Sequence, residues 1–184
     1  MVVEIDKAVV SRLNIFGKRF ERLTIGIHPP MSAAGSLMGM TRLYPFLYRY
    51  PNLMHRLFRK LLKTYFILAD YRLEIMGIDP ESYGGWSIPD DHAGFLNERM
   101  YREFVLPYNK RIYERYASKG WRHLHMDSPV HHIAHILRDE LKINSVDISI
   151  GCDLAKAKKE FDGKVVMYGG ALMEGYLSLG AWRL

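Results

Sequence analysis

The sequence predicts an α/β protein forming part of a β/α barrel, with about five parallel strands and crossover helices in one incomplete domain over residues 1–184. Two observations predict it. Short apolar runs alternate strictly with longer stretches of three- and four-residue apolar spacing, the pattern of parallel strands returned by helices. The strand count is five, against eight strands and about 250 residues in a closed barrel, so the expectation is a barrel truncated at both ends. An open doubly wound sheet satisfies the same alternation.

The elements follow in order. Val9, Val10, Leu13 and Phe16 give a helical period near the start, and Leu23-Thr-Ile-Gly-Ile27 reads as a buried strand ending at His28-Pro29-Pro30. A loop rich in small residues is expected next. Pro51 suits the first position of a long helix carrying Leu53, Leu57, Leu61, Tyr65 and Leu68, which should end near Gly77. Residues 83–88 read as a strand stopped by Pro89, and Asp90-Asp-His-Ala-Gly94 as a polar loop. Asn97 can cap a second long helix, bent at Pro107 and closed by Gly120. A strand over 122–127 leads to Ser128-Pro129, a cap and first-turn pair for a helix bearing Val130, Ile133, Ile136, Leu137 and Leu141. Strand 145–150, a helix over 153–161 capped by Asp153, and strand 164–168 before Gly169-Gly170 complete the pattern. The end, Gly180-Ala-Trp-Arg-Leu184, offers no closing element.

Composition narrows the classes. At 48% apolar and with no low-complexity tract, the chain can build a core. Its apolar run after Leu61 is broken by Lys63 and Asp70, short of the roughly 20 residues that span a bilayer. The lone Cys152 excludes an internal disulfide, and no cleavable leader opens the sequence, so a cytoplasmic protein is expected. The net charge of +6 is spread along the chain and clusters only at Arg56, Arg59, Lys60 and Lys63, which reads as a solvated helix face. Neither a nucleic acid nor a membrane is expected as partner.

The stretch Asp90-Asp-His-Ala-Gly-Phe-Leu96, followed at the same spacing by Tyr101-Arg-Glu-Phe-Val-Leu-Pro-Tyr108, resembles the signature of the uroporphyrinogen decarboxylase family. There an acidic residue and a Ser-His-Ala-Gly or Ser-Trp-Ala-Gly turn precede a helix with Phe-x-Leu-Pro-Tyr. Further correspondences run from Leu23 through Pro30-Met-Ser-Ala to Gly170. The resemblance implies a barrel whose strand ends face one cleft. At those ends stand His28, Asp90, Asp91, His92, His125, Asp127 and Tyr168.

The superfamily implies two activities. Its decarboxylases need no cofactor: side chains grip a tetrapyrrole, and a carboxylate stabilises the protonated pyrrole from which carbon dioxide leaves. By that resemblance Asp90, Asp91 and Asp127 are candidates for the chemistry, and His28, Ser36, His92, Tyr168 and Gly170 for binding a tetrapyrrole or other polycarboxylate. Ser36 stands where the family has a tyrosine, Asp91 replaces the loop serine, and Leu172 replaces the Asp of the Gly-Asn-x-Asp-Pro segment. The cobalamin-dependent methyltransferases use zinc to activate a thiol that takes a methyl group from a corrinoid protein. Their His-x-Cys ligand pair reads His125-Met-Asp127 here, a harder donor set. A third expectation is a noncatalytic fragment that pairs its open edges with a second copy or a missing barrel half.

Single residues carry weaker signals. Asp90 and Asp91 suggest a pair of carboxylates in which repulsion raises one pKa. His131 and His135 have the four-residue spacing of a helical metal pair, although a surface or packing role is the commoner outcome. Cys152 precedes a helix start, and a core thiol is its plainer reading.

Overall fold

The computed structural model describes residues 27–79, 84–149 and 152–169. The helix expected near Val9, the body of the strand at 23–27, Gly170 and the C-terminal segment lie outside the described residues.

The segment expected as a loop is helical. Helix α1, Pro30–Met38, starts on a proline, and α2, Met40–Arg49, follows after Gly39, whose φ of 76° breaks the run. The small side chains that suggested a loop allow close packing instead: Ser32, Ala34 and Gly35 are buried against the turn at Asp91–Phe95. Helix α3, Pro51–Met76, is about 39 Å long at 1.5 Å per residue. Gly77, at φ 64°, ends it in a Schellman arrangement, its N–H bonding the Glu74 carbonyl while the Ile78 N–H reaches that of Leu73.

The buried stripe of α3 is Met54, Phe58, Leu62, Tyr65, Ala69 and Leu73, rotated by about one residue from the expected stripe. Leu53 is half exposed, and Leu57, Leu61 and Leu68 are only partly covered. Both stripes have helical spacing; the aromatic partners decide between them. Phe58 packs edge-on to Phe104 and Tyr108, and the Tyr65 hydroxyl accepts the Trp86 indole N–H at 2.7 Å. Arg56, Arg59, Lys60 and Lys63 are all exposed, as a solvated face requires.

Strand β1 is Gly85–Pro89, after which Asp91–Phe95 forms a 3₁₀ turn. Asn97 caps α4, Glu98–Phe104, by accepting the Met100 N–H at 3.0 Å. The expected bend is a full break at Val105 before α5, Leu106–Tyr116, because Pro107 has no N–H to bond the preceding turn and its ring crowds that turn's carbonyl. Strand β2 is Trp121–Met126. The helix expected from Ser128 begins later: 131–133 form turns, and Ile136–Leu141 winds as a π-helix ending at Lys142 in the left-handed region. The apolar residues of the whole segment are nevertheless those expected, with Val130, Ile133, Ile136, Leu137 and Leu141 fully buried. Strand β3 is Ser145–Ile148; helix α6, Leu154–Phe161, is capped by Asp153, which accepts the Lys156 N–H; β4 is Val166–Gly169.

The four described strands are parallel and stand in the order β1-β2-β3-β4. A doubly wound sheet reverses its strand order at a switch point; this one does not, so the architecture is an arc of a β/α barrel. The fifth expected strand is the one at 23–27. Alternation along each strand separates two faces. Trp86, Ile88, Leu124, Met126, Val146 and Ile148 are buried under the helices. Ser87, His123, His125, Asp147 and Tyr168 occupy the opposite pleat, the inner face of the arc. There the register sets Pro89, His125, Asp147 and Tyr168 in one row across all four strands.

Among the described residues no helix is long and apolar enough to cross a membrane.

Candidate functional site

The strand ends bring three of the expected residues together. Asp91 follows β1, His125 lies near the end of β2, and Asp127 follows it; one ligating atom from each lies within 4.8 Å of the others. His125 Nε2 is 3.4 Å from Asp127 Oδ2 and 3.9 Å from Asp91 Oδ1. Asp91 Oδ1 also accepts the Asp127 backbone N–H at 2.7 Å, which ties the two strand ends together. Asp127 is the open member, with 68% of its side chain exposed.

Two further residues, outside the family signature, join the cluster. Asp147 Oδ2 accepts from His125 Nδ1 at 2.7 Å and from His123 Nε2 at 3.3 Å. The other His123 nitrogen, Nδ1, is 2.9 Å from Ser145 Oγ. The signal was present in the sequence: His123-x-His125 and Ser145-x-Asp147 place polar groups at alternate positions of successive strands, so each pair shares one face. Burial weighs against a charged His125 ring, but the Asp147 bond and the charges of Asp127, Asp91 and Asp147 outweigh it and raise the pKa.

Asp90 engages other partners. Its side chain is fully buried, accepting the Ser32 hydroxyl at 2.7 Å and the Asn109 amide at 2.8 Å, while its N–H continues the β1–β2 ladder to the His125 carbonyl. Burial pushes its pKa up to about 6, against the hydrogen bonds from Asn109 and Ser32 that lower it; the charge of Asp91 is the smallest contribution. The expected mutual repulsion of Asp90 and Asp91 is thus a minor effect. Asp90 joins α1, the loop after β1 and α5.

The remaining candidates are dispersed. His92 lies under α1 with its ring against Gly35, its N–H on Ser32 Oγ and its carbonyl receiving the Tyr44 hydroxyl at 3.0 Å. His28 Nδ1 donates to the Pro89 carbonyl at 3.3 Å, and with Ser36 it lines a groove of about 350 Å³ that includes none of the cluster residues. Tyr168 is half exposed and meets the His123 ring edge-on at 6.0 Å between centroids. Gly170 lies outside the described residues. His131 and His135 take separate partners, Asp153 N–H for the first and Glu98 with Arg102 for the second, so they form no chelating pair. Cys152 is buried, with Sγ 3.9 Å from His131 Nδ1.

The signature glycine has a packing role. A methyl group at Gly94 would overlap Ser128 Oγ and reach within 2.8 Å of the Pro129 carbonyl oxygen, holding apart the loops after β1 and β2. Gly94→Ala should therefore lower stability by about 1–3 kcal/mol, the usual cost of overpacking, in a urea melt. A change below about 0.5 kcal/mol would show that these loops separate freely.

A sequential parallel sheet with a polar cluster at its carboxyl ends defines a β/α-barrel protein with its candidate site at the C-terminal rim. The chain belongs to the uroporphyrinogen decarboxylase (URO-D) family, whose family model matches residues 22–178. No curated protein matches it significantly.

Proposed function

We propose that this member of the family is a metal-dependent enzyme of the methyl-transfer type, holding zinc or a similar divalent ion on Asp91, His125 and Asp127 and receiving its methyl group from a corrinoid protein. The observation that carries this reading is the convergence of three ligating side chains from two adjacent strand ends. One imidazole and two carboxylates suit zinc and harder divalent ions, and the exposed Asp127 leaves the cluster accessible. When bound, the ion would supply Lewis acidity that favours the thiolate of an acceptor thiol at neutral pH. The chain itself contributes orientation. The Asp127 N–H bond fixes the Asp91 carboxylate, and Asp147 bonds the ring nitrogen of His125 that faces away from the other two donors.

A second reading, cofactor-free decarboxylation of a polycarboxylate, is supported by the raised pKa of His125. A protonated ring there would donate a proton to the carbon that carbon dioxide leaves. Against it stand three carboxylates, Asp91, Asp127 and Asp147, whose charge opposes a polyanionic substrate.

Elemental analysis and calorimetric titration of the purified chain separate the two. About one zinc per chain is expected, with affinity reduced at least tenfold in Asp127→Ala. A protein that takes up no divalent ion while releasing carbon dioxide from porphyrinogens would overturn the metal reading in favour of the second.

A further inference from the structure

A hydrogen-bond chain crosses the inner face of the sheet, and its direction follows from its first donor. Trp121 Nε1 can only donate, and it lies 2.7 Å from Ser145 Oγ, so the hydroxyl accepts there. The Ser145 O–H is then free to donate to His123 Nδ1 at 2.9 Å. A neutral His123 that accepts at Nδ1 carries its proton on Nε2, which donates to Asp147 Oδ2 at 3.3 Å. The same oxygen faces His125 Nδ1 at 2.7 Å. A lone pair on that nitrogen would oppose a carboxylate oxygen at contact distance, so the proton of neutral His125 belongs on Nδ1.

We propose that Asp147 is the positioning residue for His125, holding it as the Nδ1–H tautomer with the Nε2 lone pair turned toward Asp91 and Asp127, and that Trp121, Ser145 and His123 hold the carboxylate in place. The proposal rests on the metal reading above for its purpose: a ligating imidazole is normally fixed by a carboxylate or carbonyl on its other nitrogen. Its geometry stands independently. The Asp147 side chain is about one-third exposed and receives hydrogen bonds from both flanking imidazoles, an arrangement that orders it without burying its charge.

The test reads the tautomers directly, by two-dimensional ¹⁵N imidazole spectra of the metal-free full chain at a pH where both rings are neutral. His125 is expected with its proton on Nδ1 and His123 with its proton on Nε2. Asp147→Ala should move His125 toward the Nε2–H form, whereas Asp147→Asn, whose amide oxygen can accept in the same place, should retain Nδ1–H. Wild-type His125 found mainly as Nε2–H would overturn the proposal. Zinc titration adds the consequence: Asp147→Ala should bind roughly 10–100-fold more weakly, with substantial recovery in Asp147→Asn and little change in melting temperature. A wild-type chain that does bind zinc, but no more tightly than Asp147→Ala, would also overturn it. A chain that shows the expected tautomers yet binds no zinc supports the positioning role and defeats the metal reading alone.

Discussion

Asp90→Ala is expected to destabilise the protein by about 2–4 kcal/mol at pH 5, because Ser32 and Asn109 would each keep a buried donor without a partner. The loss should depend on pH in an unusual direction. The folded pKa of about 6 lies above the ordinary 3.8, so Asp90 binds its proton more tightly in the folded state. Its contribution is therefore fully present below about pH 4 and is lost as pH rises from there through about 6. A difference of this size between the folded and unfolded chain corresponds to about 3 kcal/mol. Urea midpoints from pH 4 to 7 should show the wild type losing about that much relative to Asp90→Asn, which has no proton to release there. Parallel curves for the two proteins would remove burial of the carboxylate as the cause, and an unchanged stability in Asp90→Ala would show that Ser32 and Asn109 find other partners.

His125→Ala should weaken zinc binding strongly while leaving the fold intact. A structural zinc site is worth about 10–16 kcal/mol over four ligands, so one ligand removed costs about 3 kcal/mol, or roughly 100-fold in affinity. The ring is part-exposed at the strand end, away from the apolar face where Leu124 and Met126 pack, so thermal melting should move little. Wild-type affinity should also fall as pH drops through the raised pKa of His125, since the ion needs the neutral ring. Calorimetric titration of both proteins at two pH values checks this. Equal zinc affinity in wild type and His125→Ala would place the ion elsewhere and remove this cluster as the functional centre.

Much of the architecture is legible in the sequence. The alternation of strands and helices, the caps at Asn97 and Asp153, the stop at Gly77 and the interruption at Pro107 are local effects, set by backbone chemistry within a few residues. The segments that depart from expectation are those where local signals compete. Ser32 to Ser36 has the small residues of a loop, and only packing against the 91–95 turn makes that smallness a reason for a helix. Along α3 two apolar stripes have equally good spacing, and the rings of Phe104, Tyr108 and Trp86 select the one that is buried. At Ser128 the cap-like residue faces Gly94 across the loops and does not start a helix.

The order and type of most elements, the family signature, and the presence of acids and histidines at the strand ends are all properties of the linear chain. Which of those side chains meet is a tertiary matter. Packing turned Asp90 into the core and Asp91 to the cluster, though the two are adjacent, and it brought in Asp147 and His123, which alternation places on a strand face without showing what they meet there. The physical reason is that a side chain's neighbours across a sheet depend on pleat and inter-strand register, and these are set by packing between segments distant in the chain.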